Sequence, residues 1–283
     1  MSVDRSAPSV PSARADARAP ISAADVRARV ADPTRWDIGH VISTGSTNAD
    51  LMDTPAPPSG AVAVLIAEEQ IRGRGRAGRV WSCPAGAGLM MSIALHRPPV
   101  PPARRGWAGA VLGLALVDAL AALLPGRDVG LKWPNDVLVD GDKIAGILGE
   151  AGAETVVVGS GVNITLRADE LPRPDATSLA LLGAVGPAFD RAALAAAVLD
   201  GLSARLDRWF VADGDVDAGG LRADYRDRSA TLGRSVRLQI PGGAEVLGVA
   251  TDITPDGALV VRTTDGRERA WSVAEVTHLR PAT

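Results

Sequence analysis

The residues from Gly73 to Trp81 read GRGRAGRVW, with Arg74, Arg76 and Arg79 interleaved with Gly73, Gly75 and Gly78. Guanidinium groups stay charged and present a rigid fork of donors to phosphate and carboxylate oxygens. Glycines let the backbone between them adopt conformations closed to other residues. The segment reads as a mobile cationic flap that closes over an anionic ligand, or, taken alone, as a solvated basic loop. It also matches G-x-G-x-x-G behind the strand-like run Ala61–Ala67. The dinucleotide fingerprint, however, needs a helix to open within its glycines. Here Val80, Trp81, Ser82, Cys83 and Pro84 follow instead. No Gly-Lys-Ser/Thr closes the loop, which excludes a Walker-type phosphate loop.

Four further groups of residues could share a ligand with this loop. Ser46, Thr47 and Asn48 put two hydroxyls and an amide at a helix start, and Gln70 adds a second amide just before the flap. In Lys132-Trp133-Pro134-Asn135-Asp136, Asn135 and Asp136 offer two oxygen ligands at a strand edge, suited to holding Mg²⁺ together with phosphate. Lys143 follows the tight turn at Gly141, ahead of Gly146. Gly159-Ser160-Gly161-Val162-Asn163 ends a strand with small residues and an amide. Each has a plainer reading: Asp136 as a turn former, Asn163 as a cap, Lys143 as a solvated hairpin lysine.

The elements that must position these groups follow from periodicity and punctuation. Ser22 caps a short helix through Val26 and Val30, and Trp36–Ile42 is strand-like. Thr44–Thr47 turns into a second short helix through Asn48, Leu51 and Met52. Ala61–Ala67 and Gly88–Leu95 are apolar runs suited to buried strands. Pro101 and Pro102 open a long apolar helix, Trp107–Leu124, stopped by Pro125 and Gly126. Short strands follow at Val129–Lys132, Asp136–Val139, Ile144–Glu150 and Thr155–Gly159, then helices at Asp190–Phe210 and Leu221–Arg228. After Ser229 four strands, Val236–Ile240, Val246–Ile253, Leu259–Arg262 and Arg269–Val273, alternate with Pro-Gly-Gly, Pro-Asp-Gly and Asp-Gly turns, the pattern of a small β-barrel. The predicted organisation is an unstructured segment 1–24, a mixed α/β domain 25–228 and a β domain 230–283.

Composition narrows the function. With 46% hydrophobic and 22% charged residues, the chain of 283 residues is of ordinary globular type. A net charge of -3 argues against a general DNA binder. The single cysteine, Cys83, allows no internal disulfide and fits a reducing cytoplasm; it reads as a plain thiol rather than a nucleophile. The three histidines are too scattered for a metal site. The longest apolar stretch contains Asp118 and reads as a buried helix, so no membrane span is predicted.

Taken in order, STN at Ser46–Asn48, Gln70 followed by GRGRAGRVW, KWPND at Lys132–Asp136, DKIAGIL at Asp142–Leu148 and GSGVNI at Gly159–Ile164 resemble the biotin protein ligases, from about residue 36 to the C-terminus. The resemblance implies an α/β (α+β) core related to class II synthetase domains and lipoate ligases, a mixed sheet flanked by helices, with an SH3-like C-terminal barrel. It implies that biotin and Mg²⁺·ATP give biotinyl-5′-AMP, and that biotin then passes to a lysine of the biotin carboxyl carrier domain of an acyl-CoA carboxylase. By the same likeness Ser46, Thr47, Asn48, Gln70, Gly75 and Gly146 line the biotin pocket together with Arg74, Arg76 and Lys143, the three that would act on the reacting groups. Arg76, Arg79, Trp81, Lys132, Asn135 and Asn163 would bind ATP, and Asn135 and Asp136 would hold Mg²⁺. The segment before residue 25 is too short for the helix-turn-helix domain of the family's repressors, so a monofunctional cytoplasmic ligase, monomer or homodimer, is expected. The rivals are a lipoate or octanoate transferase on the same core and a DNA-binding regulator.

Overall fold

The computed structural model describes residues 18–279. Seven strands form the main sheet: β1 (Trp36–Thr44), β2 (Val62–Gln70), β3 (Gly88–His96), β4 (Val129–Lys132), β5 (Asp136–Val139), β6 (Asp142–Ala151) and β7 (Thr155–Asn163), in the order β1-β2-β3-β7-β6-β5-β4. β1 and β2 are parallel and every other neighbouring pair is antiparallel. Because side chains alternate along a strand, the sheet has two distinct faces. On one, Met91, Ile93 and Leu95 of β3 and Val156 and Val158 of β7 join the main core with two long helices, α3 (Ala108–Leu123) and α4 (Arg191–Val211). On the other, Ala63, Ala94 and Val157 pack against Leu51 of a short helix, α2 (Thr47–Asp53).

Val111, Leu112, Leu114, Leu116 and Leu120 of α3 are all fully buried. At about 1.5–3 kcal/mol per side chain they stabilise the sheet by on the order of 10 kcal/mol, which makes its opposite face a rigid platform. The run Pro102–Leu123 is long and apolar enough to cross a membrane, yet it is the central helix of this core. Its one acid, Asp118, turns outward to pair with Arg205 and Arg228.

The expected unstructured segment 1–24 lies outside the described residues as far as position 17. From Arg18 onward the expectation is corrected: Arg18 pairs with Glu170 at 2.7 Å, and Ser22 caps α1 (Ala23–Arg27) by accepting from the Asp25 amide at 3.0 Å. Val30 falls outside that helix.

After α5 (Leu221–Asp227) comes a five-stranded antiparallel sheet: β8 (Ser235–Gln239), β9 (Glu245–Ile253), β10 (Leu259–Thr263), β11 (Glu268–Trp271) and β12 (Glu275–His278). Its order is β11-β10-β9-β8-β12, and the edge strands β11 and β12 are not paired, so the expected barrel is an unclosed sheet. β12 was absent from the strands read from the sequence, because Glu275, Thr277 and His278 leave Val276 as its sole apolar residue. Two buried tryptophans join this sheet to the first: Trp107 donates to the Pro255 carbonyl at 2.7 Å and Trp133 to that of Gly257 at 3.0 Å.

Candidate active site

A cavity of about 280 Å³ opens on the α2 side of the main sheet, beneath the Gly/Arg loop. Three glycines form its floor. Gly146 of β6 and Gly161 of β7 lie opposite each other, and Gly159 lies two residues along the same strand. A Cβ on Gly159 would stand 2.1 Å from Asn48 Oδ1, and one on Gly161 would stand 2.4 Å from the Trp81 ring. These positions hold glycine because another group already fills the space above them.

One end of the cavity is a continuous polar network. Gln70 Oε1 accepts from the Thr47 amide at 2.8 Å and from Thr47 Oγ1 at 3.1 Å, so it caps the first turn of α2 where Ser46 makes no side-chain cap. The Thr47 hydroxyl meets Ser92 Oγ at 2.7 Å, and Ser92 donates to Asn48 Oδ1 at 2.6 Å. Asn48 Nδ2 donates to the Leu148 carbonyl at 3.1 Å and to Glu150 Oε2 at 2.9 Å. Ser46, Thr47 and Asn48 are all buried. With Thr47, Asn48, Gln70 and Ser92 each held by a neighbour, this end presents donors and acceptors at set positions rather than a greasy slot.

The other end is cationic. The flap is a closed hairpin: Arg74 bridges Val80, the Trp81 amide donates to the Gly73 carbonyl at 2.9 Å, and a short 3-10 turn covers Arg76–Gly78. Arg74 pairs with Glu150 at 3.5 Å and Arg79 with Glu275 of β12 at 2.9 Å. Burial, then the neighbouring Arg79 charge, hold the Arg76 guanidinium below its usual range. Lys143 Nζ lies 2.6 Å from Asp136 Oδ1 and 5.7 Å from the centre of the Trp81 ring. Its aim depends on an irregularity. Between β5 and β6 the register jumps from Val137↔Ala145 to Leu138↔Lys143, which leaves Ile144 as an extra residue. Strict alternation would put Lys143 and Gly146 on opposite faces; the bulge returns Lys143 to the cavity side and sends Ile144 and Ala145 into the core.

Of the residues singled out by sequence, Ser46, Thr47, Asn48, Gln70, Arg74, Gly75, Arg76, Arg79, Trp81, Asn135, Asp136, Lys143, Gly146 and Asn163 all line this one cavity. Asn163 Nδ2 donates to the Thr177 carbonyl at 2.9 Å, and Asn135 Nδ2 to that of Ile147 at 2.8 Å. Lys132 does not line it. It faces the adjoining cleft between the two sheets, which shares Arg76, Arg79, Asn135, Asp136 and Arg173 with the cavity; desolvation lowers its pKa. Among the described residues no three His, Cys, Asp or Glu side chains cluster as a metal site. Asp136 and Asn135 therefore fit a hard cation only together with oxygens of a bound phosphate. Cys83 is buried, and desolvation pushes its thiol up to about 12, consistent with an inert thiol.

Three contributors escaped sequence reasoning. Ser92 is the lone hydroxyl in the otherwise apolar strand Gly88–Leu95, a signal in itself. Glu150 and Arg173 carry none, since an acid at a strand end and an arginine in a loop are commonplace.

The chain is similar to known proteins in both its parts. Residues 39–163 match the model of the "Biotin/lipoate A/B protein ligase family", and residues 231–279 match "Biotin protein ligase C terminal domain". The biotin–[acetyl-CoA-carboxylase] ligase of Mycobacterium tuberculosis is 44% identical over 85% of this chain and 88% of that ligase. That of Paracoccus denitrificans is 36% identical over 80% and 94%. The bifunctional ligase/repressor BirA of Escherichia coli is 34% identical over 82% of this chain and 70% of its own length. The biotin protein ligase from Aquifex aeolicus, solved with biotin and ATP, shares the fold at a TM-score of 0.70 and 24% identity, covering 86% and 99%. The two parts together define a biotin/lipoate-type ligase core with its C-terminal domain. The chain belongs to the biotin protein ligase family.

Proposed function

We infer that the protein joins biotin to ATP, giving biotinyl-5′-AMP and pyrophosphate, and then passes the biotinyl group to a lysine of a biotin carboxyl carrier domain. The observation that carries this reading is one cavity with a fixed hydrogen-bonding end and a cationic end. A ureido ring needs paired donors and acceptors, which Thr47, Asn48, Gln70 and Ser92 supply. Its carboxylate and the ATP α-phosphate are both anions, and Arg74, Arg76, Arg79 and Lys143 supply the charge to bring them together. The carboxylate oxygen attacks the α-phosphorus, the bond to the β-phosphate oxygen breaks, and pyrophosphate leaves. Lys143 is suited to stabilise charge on both reacting groups at that step, after exchanging Asp136 for substrate oxygens.

Asn135 and Asp136 would hold Mg²⁺ with the triphosphate, where the cation offsets phosphate charge. In the second half, the neutral carrier amine attacks the acyl carbon and AMP departs, while the amine's surplus proton is lost to solvent. A mixed anhydride hydrolyses readily, so the flap's cover over the cavity is part of the chemistry. The fixed polar end also argues against lipoate, whose dithiolane ring offers no matching donors. The substrates and the lone buried thiol fit a cytoplasmic enzyme, acting as monomer or homodimer.

The test is mass spectrometry of a purified carrier domain incubated with the protein, ATP and Mg²⁺, and with biotin or lipoate in parallel. A mass gain of one biotinyl group in the biotin arm alone is the expected result. Gain in the lipoate arm alone, or in neither, would overturn the assignment.

A further inference from the structure

The proposed lid over the adenylate is a long excursion of chain between Glu68 on β2 and Gly88 on β3; its two ends meet in the β2–β3 ladder at Ala67 and Met90 and are bridged in addition by one buried arginine. Arg191, 2% exposed at the start of α4, donates to Glu68 Oε2 at 2.6 Å and to the Gly88 carbonyl at 3.1 Å. Its other nitrogen donates to the Ala19 carbonyl at 2.6 Å, and Glu68 Oε1 accepts from the Ile21 amide at 2.9 Å. The residues just before α1 are thus bonded to both members of the clamp. Arg18 anchors their outer end with four hydrogen bonds: to Thr165 Oγ1 at 3.0 Å, the Thr165 carbonyl at 2.9 Å, and Glu170 Oε1 and Oε2 at 3.2 and 2.7 Å. The Arg18 bond is the first cause that holds the Glu170 carboxyl down, to about 2.

The fit at the flap base is close. Gly86 has φ +68, and a Cβ there would stand 2.4 Å from the Arg18 carbonyl oxygen. Its amide donates to the Glu68 carbonyl at 3.1 Å, and the Ala87 carbonyl accepts from the Ile164 and Thr165 amides at 3.1 and 2.9 Å. The segment that carries Arg18 to Ser22 therefore lies across the point where the chain returns from the flap to the sheet. Neither the polar network nor the cationic end uses these residues, and a buried arginine–glutamate pair stabilises little by itself.

We propose that residues 18–22 are an intramolecular strap that, through Glu68 and Arg191, fixes the base of the Gly/Arg flap and so sets how tightly the site holds its ligand, a role that rests on the function proposed above. Arg191 and Arg18 are positioning residues in this scheme; neither touches the cavity. The strap biases the flap toward its closed hairpin, and loosening the strap raises the open population without altering the groups that react.

The experiment uses the full chain with Arg18→Ala, Glu170→Gln and the charge-retaining Arg18→Lys. The first readout is limited digestion of the ligand-free protein with trypsin, following by mass spectrometry only the cuts after Arg74, Arg76 and Arg79. The second is pyrophosphate release as a function of biotin concentration. For Arg18→Ala and Glu170→Gln, flap cleavage should quicken and half-saturating biotin should rise by about 3- to 10-fold each, while the rate at saturation stays within about two-fold of wild type. Arg18→Lys, which keeps the charge without the fork, should fall between. Unchanged flap cleavage in both variants would overturn the strap. So would a fall in the saturated rate with half-saturating biotin unmoved. Flap cleavage needs no turnover, so faster cutting in a protein that never releases pyrophosphate would support the strap while removing the proposed reaction.

Discussion

Trp81 packs closely over Gly146 and Gly161 because neither carries a side chain. Its indole nitrogen is buried and has no hydrogen-bond partner among the described residues. A buried donor left unpaired costs about 1–3 kcal/mol, so a ligand oxygen reaching it regains that amount. Gly161→Ala keeps β7 intact but pushes the indole out of its slot. Its expected effect is weaker biotin binding, by about ten-fold, with little change in thermal midpoint; isothermal titration alongside calorimetry decides it, and unchanged binding would mean that the indole finds another seat. Lys143→Ala should cost about 10²–10³ in the rate of adenylate formation, the usual loss for one preorganised group at developing charge. Pyrophosphate release close to the wild-type rate would show that the arginines alone carry that charge.

At the scale of elements, the flap and the bulge tell opposite stories about what a sequence discloses. The glycines of residues 73–81 marked a loop, and the continuous apolar runs on either side, Ala61–Ala67 and Gly88–Leu95, marked the strands that carry it. The closure of that loop into a hairpin, bridged from Arg74 to Val80, was not visible, because it depends on two backbone hydrogen bonds and no side-chain pattern. Nor was the extra residue at Ile144, since a bulge is a mismatch with a partner strand and a strand read alone has no partner. Glu68 and Arg191 lie 123 residues apart, and only the fold brings them together. The flap carries its own prediction. Arg74 pairs with Glu150, a carboxylate that an anion bound at Arg74 would compete with. Arg74→Gly should synthesise adenylate yet release it, so that exposed lysines of unrelated proteins become biotinylated when no carrier domain is present. Bystander labelling by the variant no greater than by wild type, with adenylate made in both, would count against the flap as a lid.

Across the whole molecule, the two sheets are fastened at a seam where His278 sits beside Thr231, with its ring nitrogen 3.0 Å from the hydroxyl. Desolvation, with Lys132 and Arg234 nearby, lowers its pKa from 6.5 to about 4. The folded chain thus refuses a proton that the unfolded chain accepts below about 6.5, and stability falls as the pH drops through that window toward 4. Glu170, held at about 2 against an ordinary 4.5, contributes stability that is complete above about 4.5 and is lost only as the pH falls below it, outside the range measured. Thermal midpoints measured between pH 7 and pH 5 should decline in the wild type, and the decline should shrink in His278→Asn. Equal slopes in the two proteins would place the sensitivity elsewhere.

The slot that holds Trp81 also makes the cavity visible to light. The chain has six tryptophans. Trp36, Trp107, Trp133 and Trp209 are buried in the core, Trp271 belongs to the C-terminal sheet, and Trp81 alone among them lines the cavity. A cationic ammonium stands 5.7 Å from its ring, and anionic substrates would draw that ammonium toward themselves. Filling the cavity would therefore change the electric field on Trp81 first; of the other five, only Trp133 borders the adjoining cleft. The emission of the unlabelled protein should then report ligand arrival at the cavity without any added probe.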